Sequence, residues 1–350
     1  MLCNCFKQKS ASIRVYIFIS IFMMVLSLSA QNVFWVSTTG NDTLSGSQAA
    51  PFATINHALS VIQNLDTILV MPGNYYEQLS INALNGVSDF VLQGYSLTDT
   101  AAIISPGPGP VISINMPLTP NSRFLNLLLS HENPDSIGPG IEIFGASPTI
   151  ENCTITGNHN QVMGGGIRIF DSGDTLHPVI SRCHIYDNEA PGGAGIFGQN
   201  SAMTIEYSTI EFNRSGSYDG GGLYFQGCYD MIIKNNQIHA NQGNNGAGIY
   251  LDVSAVLYNR SNSVTNNLIY RNDGLNVGAG MYLYGTGTTN TINDNTFGEN
   301  YALGSGGGLF VEAADNIILN RNLFVNNNSL QNGGGICFSN MSSSSIDLWS

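Results

Sequence analysis

Positive charge is scarce. The 350 residues include 11 Lys and Arg against 24 Asp and Glu, and charged side chains make up only 10% of the chain. Beyond Lys7, Lys9 and Arg14 the sequence holds one lysine, Lys234, and seven scattered arginines. Such a surface repels nucleic acid and anionic lipid. It also excludes a site that grips polyuronates by basic residues alone; bridging cations would have to help. Cysteine is sparse too. After residue 30 only Cys153, Cys183, Cys228 and Cys337 occur, at spacings unlike a zinc site. No apolar run reaches the ~20 residues of a membrane span. The longest, from Val15 to about Ala30, follows Lys7, Lys9 and Arg14 and ends in Leu28-Ser29-Ala30. That order predicts an export signal over residues 1–30, cleaved near Ala30. Losing its three positive charges takes the formal charge from −13 to −16. The expected location is extracellular or at the cell surface, with no integral membrane domain.

What the chain has in excess is repetition. A Gly-x-Gly-[Ile/Leu/Met] tetrad recurs eight times, its apolar residue at Ile141, Ile167, Ile196, Leu223, Ile249, Met281, Leu309 and Ile336. An [Ile/Phe]-x-x-Asn quartet runs in phase with it, ending at Asn158, Asn188, Asn213, Asn241, Asn272, Asn300 and Asn327. Two signatures locked to one period of about 28 residues predict a stack of identical units, not a closed globule. The 40 glycines would hint at disorder if the apolar fraction were not 43%. Here Gly and Asn punctuate apolar strands.

Each unit reads as a short alternating strand after the tetrad, then a second strand such as Ile318 to Phe324. Two residues before each quartet's Ile or Phe stands a small polar residue: Cys153, Cys183, Ser208, Asn236, Asn267, Asn295 and Asn322. Facing inward, these would form a ladder in which each side chain bonds to the next coil. Cys153 and Cys183 occupy equivalent places in successive coils. Stacked positions ~4.8 Å apart suit either a disulfide or two buried thiols.

The N-terminal segment differs. Val33–Val36 reads as a strand, and Ile55, Ala58, Leu59 and Ile62 carry the spacing of an amphipathic helix. Thr67 to Met71 reads as a strand, Pro72-Gly73-Asn74 as a turn, and Tyr76 to Ile81 as a second strand. The expected organisation is a cap over residues 31–66, closing the open apolar end of a stack that runs over 67–350. Ser345 to Ser350 begins a further strand with no capping element after it, so the expected C-terminal coil is incomplete. Gly40-Asn41-Asp42-Thr43 reads as an Asx-type turn, since it lacks the alternating ligands of a calcium loop.

These residues carry a resemblance. The period, the Asn ladder and the glycine turns resemble the right-handed parallel β-helix of the pectate-lyase-like superfamily. The stretch Trp35-Val36-Ser37, Gly40-Asn41-Asp42, Pro51-Phe52-Ala53-Thr54-Ile55 and Pro72-Gly73-Asn74-Tyr75 is similar to the cap and first coil of secreted bacterial members. The Gly-Gly-x-[Ile/Leu] pair with Phe297-Gly298-Glu299-Asn300 and Phe324-Val325-Asn326-Asn327 resembles the repeats of polymorphic outer-membrane adhesins. The resemblance implies an all-β solenoid and covers most of residues 33–350. Its activity is open, because the superfamily hosts lyases, hydrolases, epimerases and adhesins.

The residue after each tetrad should point outward: Glu142, Arg168, Phe197, Tyr224, Tyr250, Tyr282, Phe310 and Cys337. The five aromatics, Phe197, Tyr224, Tyr250, Tyr282 and Phe310, read as an exposed stripe, either binding a polysaccharide or surface partner or stacking on one another. Two residues on, a second outward column includes Gln199, Gln226, Asp252, Tyr284 and Glu312. A lyase needs a base and a cation or arginine; by resemblance, calcium held by clustered acids would serve. Arg168 beside Asp171 and Asp174 is the nearest approach, and those acids read as solvated turn residues. A hydrolase needs carboxylates converging across coils, and no column shows acids paired in successive coils with a base beside them. His177, His184 and His239 read as isolated and solvated. No cofactor is implied unless the protein is a lyase. The expectation is an adhesive, glycan-binding or structural stalk, with a polysaccharide lyase or hydrolase as the alternative.

Overall fold

A computed structural model describes residues 31–350 except 83, 85, 134, 171–176, 255–259, 315, 342–345 and 350. The expected export segment and Asp171 and Asp174 therefore lie outside the described residues. The chain winds into a solenoid of one 12-stranded sheet, two 10-stranded sheets and a short four-stranded sheet. Each strand pairs in parallel with its counterpart one coil on, as Tyr224 does with Tyr250 and Ile238 with Ile269. One coil shows the path. Leu223–Gln226 lies in the second sheet, Ile232–Lys234 in the first, Gln237–His239 in the third and Gln242–Gly243 in the fourth. The tetrad's apolar residue faces the core in every coil from Ile141 to Leu309. Ile205, Ile233 and Val264 fill it from the first sheet, and Ile210, Ile238 and Ile269 from the third. These aliphatic columns pack against one another across the interior and against their counterparts in neighbouring coils, so the stack is the unit of stability.

Two expectations from the sequence are revised here. The second strand expected over Ile318 to Phe324 is two strands, Ile317–Asn320 and Leu323–Val325, in different sheets. Arg321 breaks it by adopting a left-handed φ of 51°. The same happens at both ends of the third sheet's strands. Asn152, Arg182, Tyr207, Asn235, Asn266 and Asp294 form one corner; Asp187, Phe212, Ala240, Arg271, Glu299 and Asn326 form the other. All have φ between 51° and 57°. A left-handed corner turns the chain sharply and swings the next side chain into the core. It costs an L-residue roughly 1–2 kcal/mol, least for Asn and Asp. The second revision is at residues 72–74, where Gly73–Tyr75 forms a strand paired with Ala101–Ile103 of the next coil.

The side chain after each corner is the ladder residue. Ser208 N–H donates to Asn236 Oδ1 at 2.9 Å, and the amides of Asn236, Asn267 and Asn295 each donate to the next Oδ1 at 3.0 Å, ending at Asn322. At the other end Cys153 and Cys183 are free, buried thiols that donate to Phe124 O and Ile150 O. Burial pushes the Cys183 thiol well above its ordinary pKa, and the neighbouring Cys153 adds to the effect.

The quartet asparagines make a second ladder that the sequence reading did not assign. The ladder starts at Asn158, and at Asn188, Asn213, Asn241, Asn272, Asn300 and Asn327 each Oδ1 accepts from both the backbone N–H and the side-chain amide of the previous asparagine. This ladder explains why the two signatures share a period. The tetrad's second glycine lies directly against it. A Cβ on Gly248 would sit 2.5 Å from Gly280 O and 3.0 Å from Asn272 Nδ2, and one on Gly222 would sit 2.7 Å from Gly248 O and 3.0 Å from Asn241 Nδ2. Glycine is required by close approach, first to the next coil's glycine carbonyl and then to the ladder asparagine.

At the N-terminal end, helix α1 (Ile55–Val61) packs Ile55, Ala58 and Leu59 into the core. Thr54 Oγ1 accepts from His57 N–H, and the Glu77 carboxylate accepts from the N–H groups of Ile55 and Asn56 at 2.9 Å each. These acceptors satisfy donors that the first turn leaves open. Thr43 N–H donates to Asn41 Oδ1 at 2.9 Å, closing the Asx-type turn ahead of α1.

Candidate functional site

The outward face of the second sheet carries the aromatic column in the expected register. Its exposure is not as expected. Phe197, Tyr282 and Phe310 are buried, and Tyr224 and Tyr250 are half-buried. Ring centroids lie 5.5 Å apart for Phe197–Tyr224, 4.8 Å for Tyr224–Tyr250, 4.9 Å for Tyr250–Tyr282 and 5.7 Å for Tyr282–Phe310. The first two pairs meet edge to face and the last two are stacked. The rings close on one another because strand spacing brings them within aromatic contact. Glycine turns such as Gly220 press on their stems. Burial pushes the Tyr224 phenol up to about 12, helped by the carboxylates of Asp219 and Asp252. Tyr282 is also raised by burial, and its hydroxyl donates to Glu312 Oε2 at 2.6 Å. The column is a bed of rings, neutral throughout the physiological range.

The open surface lies one column over: Phe144, Phe170, Gln199, Gln226, Asp252, Tyr284 and Glu312, paired in register. Gln199 Nε2 donates to Gln226 Oε1 at 2.9 Å, which aligns the amides along the stack. Phe144 is 50% exposed and Tyr284 is exposed at the other end. Around Phe144 the face sinks into a concavity of about 320 Å³ lined by Ser113, Ile114, Asn115, Glu142, Phe144 and Phe170. Arg168 Nη1 donates to Glu142 Oε1 at 3.1 Å, and its guanidinium lies 4.2 Å from the Phe170 ring centroid. Arg168 Nε is a buried donor with no hydrogen-bond partner among the described residues. Rings for an apolar face stand beside a carboxylate, an amide and a hydroxyl for polar groups. Glu142 and Arg168 head the aromatic column in the sequence. Ser113 and Asn115 lie in a coil without the tetrad, so periodicity did not point to them.

The third sheet's outer face gathers a second group. Glu211 Oε1 lies 2.7 Å from His184 Nε2, and Glu211 Oε2 lies 3.3 Å from His239 Nε2. The His184 ring stacks on Tyr186 at 4.3 Å, and the His239 ring on Tyr270 at 4.4 Å. The reading of these histidines as isolated is corrected: one carboxylate joins two coils' imidazoles. His177, the third, bonds Thr204 Oγ1 through Nε2 at 2.8 Å. Among the described residues, no group of three or more His, Cys, Asp or Glu is arranged to hold a metal ion.

Burial lowers the pKa of His239, with Glu211 opposing and His184 and Arg271 assisting; burial also lowers that of His177, with Asp230 opposing. A histidine whose folded pKa lies below its unfolded value of about 6.5 stabilises the fold above that pH. The contribution is lost as pH falls through the folded value. The denaturation midpoint should therefore drop as pH is lowered from about 7 to 5. His239→Gln with His177→Gln should flatten the decline, and an unchanged slope in that double variant would refute the assignment.

A family model described as the right handed beta helix region matches residues 121–297, half of the chain. The chain belongs to this family. The β-helix is right-handed, as the pectate-lyase-like resemblance implied. A second model, described as a protein of unknown function (DUF1565), matches residues 38–82. No curated protein sequence matches the chain significantly. Among solved structures it is similar to XylC in complex with xylose, at 12% identity over 83% of this chain and 69% of that one, with a TM-score of 0.57. It is also similar to a GH136 lacto-N-biosidase from Eubacterium ramulus, at 10% identity over 96% of this chain and 70% of that one, with a TM-score of 0.51. At such identities the likeness is one of fold. Among the described residues, no helix of this β-helix is long and apolar enough to cross a membrane.

Proposed function

We propose that the protein is an exported β-helix that binds glycans along the outward face of its second sheet, as an adhesive or anchoring surface. The observation that carries this reading is the concavity at Phe144. There two rings, the Glu142 carboxylate, the Asn115 amide and the Ser113 hydroxyl converge at the head of an amide-lined column. A pyranose presents apolar C–H faces and a rim of hydroxyls. Rings take the former and carboxylate and amide groups the latter. The column continues the same chemistry through Gln199, Gln226 and Asp252, as an extended chain requires. The net negative charge favours a neutral polysaccharide or surface glycan over an acidic one. Export rests on Lys7, Lys9 and Arg14 ahead of the Val15 run.

Phe144→Ala should reduce retention on insoluble xylan or cellulose by about tenfold, the worth of one apolar ring face removed from water. The fold should be unchanged, because Phe144 is half exposed. Equal retention of the variant and the parent on every matrix refutes the reading. The fold's likeness to a lacto-N-biosidase keeps glycan cleavage as the alternative. New reducing ends or unsaturated ends, lost in Glu142→Gln, would establish it in place of an adhesive role.

A further inference from the structure

The corners of the third sheet hold a left-handed backbone, and in most coils at least one of the two is Asn, Asp or Gly: Asn152 and Gly157, Asp187, Asn235, Asn266, Asp294 and Asn326, beside Arg182, Ala240, Arg271, Glu299 and Arg321. One coil carries an aromatic at both. Tyr207 and Phe212 hold φ of 52° and 53°, and each is 52% exposed. A bulky aromatic is poorly suited to that backbone, and an exposed ring gains little from burial. Backbone strain kept at half-exposed rings is the kind of outlier from which a functional surface is inferred.

Between these corners runs Thr209–Glu211, whose outward residues are Thr209 and Glu211. Glu211 holds His184 and His239, and the Phe212 ring meets His239 edge-on at 6.2 Å. One coil thus sets two ring faces astride a hydroxyl, a carboxylate and two imidazoles. Polar groups interrupt the aromatic surface, which matches a polyhydroxylated ligand better than the apolar centre of a protein interface. The arginines against the rings, Arg182 over Tyr207 and Arg271 over Tyr270, already pair with Glu151 and Glu299, so these two cations are engaged within the protein.

We propose that Tyr207, Glu211 and Phe212, with His184 and His239, form a second saccharide-binding site, for a neutral segment, on a different face from the Phe144 concavity. Two such faces on one rigid rod would let it bridge or grip a matrix at two points.

The test is the double variant Tyr207→Asn/Phe212→Asn, which installs a corner residue that other coils use. Retention on xylan and cellulose is measured beside the parent and Phe144→Ala, with thermal denaturation of each. The expected result is retention lowered about tenfold and a Tm unchanged or raised. A lowered Tm would make the rings structural and overturn the proposal. Unchanged retention, including a parent held by no matrix, would overturn it as well, and with an unlowered Tm would point to a protein-facing surface. Loss in this variant but not in Phe144→Ala would refute the second-sheet reading and leave this one standing; the reverse would do the opposite.

Discussion

Asn241→Leu should destabilise the solenoid by about 3–5 kcal/mol, because it orphans two buried donors at once. Asn241 is fully buried, and its Oδ1 accepts from Asn213 N–H at 3.1 Å and Asn213 Nδ2 at 3.0 Å. Its own amide donates to Ile210 O at 2.9 Å and to Asn272 Oδ1 at 3.1 Å. Leucine keeps the volume and removes all four interactions, leaving each former partner without water to replace it. An unpaired buried polar group costs ~1–3 kcal/mol, so two donors alone account for most of the loss. Because each coil is held only by its neighbours, the damage falls at one interface and should split the unfolding transition. Asn327 accepts the corresponding pair from Asn300 but is partly exposed in the last described coils. The donors orphaned there belong to the buried Asn300, but the open side at Asn327 lets water approach, so Asn327→Leu should cost less than Asn241→Leu. Urea denaturation followed by circular dichroism compares the two; an Asn241 variant no worse than the Asn327 variant would refute the ladder's role.

This asymmetry also shows which features the sequence made legible. The tetrads and quartets stood out because a residue pressed against backbone has one acceptable identity, as Gly248 does. Their period then placed Tyr224, Tyr250 and Tyr282 in one column, and the register bears this out. The corners left no such trace. A left-handed φ is held here by Asn, Asp, Arg, Ala and Phe alike, at differing cost, so Arg321 and Ala240 share a conformation without sharing chemistry. The alternation rule told which way Phe197 points but not how the turn beside it covers the ring, and exposure was overestimated for that reason. His184, Glu211 and His239 lie 27 and 28 residues apart, within the repeat itself. Folding the sequence onto its period puts Glu211 and His239 in one column; reading the histidines along the chain hid it. Ser113 and Asn115 of the concavity precede the first tetrad, where periodicity gives no register to follow.

Gly248→Ala should be nearly as damaging as loss of the asparagine, for the opposite reason. The new Cβ would meet Gly280 O at 2.5 Å and Asn272 Nδ2 at 3.0 Å. Neither neighbour can withdraw. Gly280 O accepts the Ile249 N–H that holds the two coils in register, and Asn272 Nδ2 is tied to Ile238 O and Asn300 Oδ1 at 3.0 Å each. Forcing a methyl into such a site costs typically 1–3 kcal/mol, and the upper end is expected where backbone must shift. The conformational argument that makes glycine useful elsewhere does not apply, because Gly248 has no positive φ; only space is at issue. Gly216 serves as the control. It has a φ of 59°, nothing within 4 Å of its missing Cβ, and alanine there meets backbone preference alone. Gly216→Ala should cost about 1 kcal/mol. If the two alanines prove equal, close approach is not what keeps the tetrad's second glycine. If Gly248→Ala also loses most of its effect when Asn272→Ala accompanies it, the methyl and the amide compete for one space. Tetrad and ladder are then a single packing device, which is why neither signature drifts out of phase with the other.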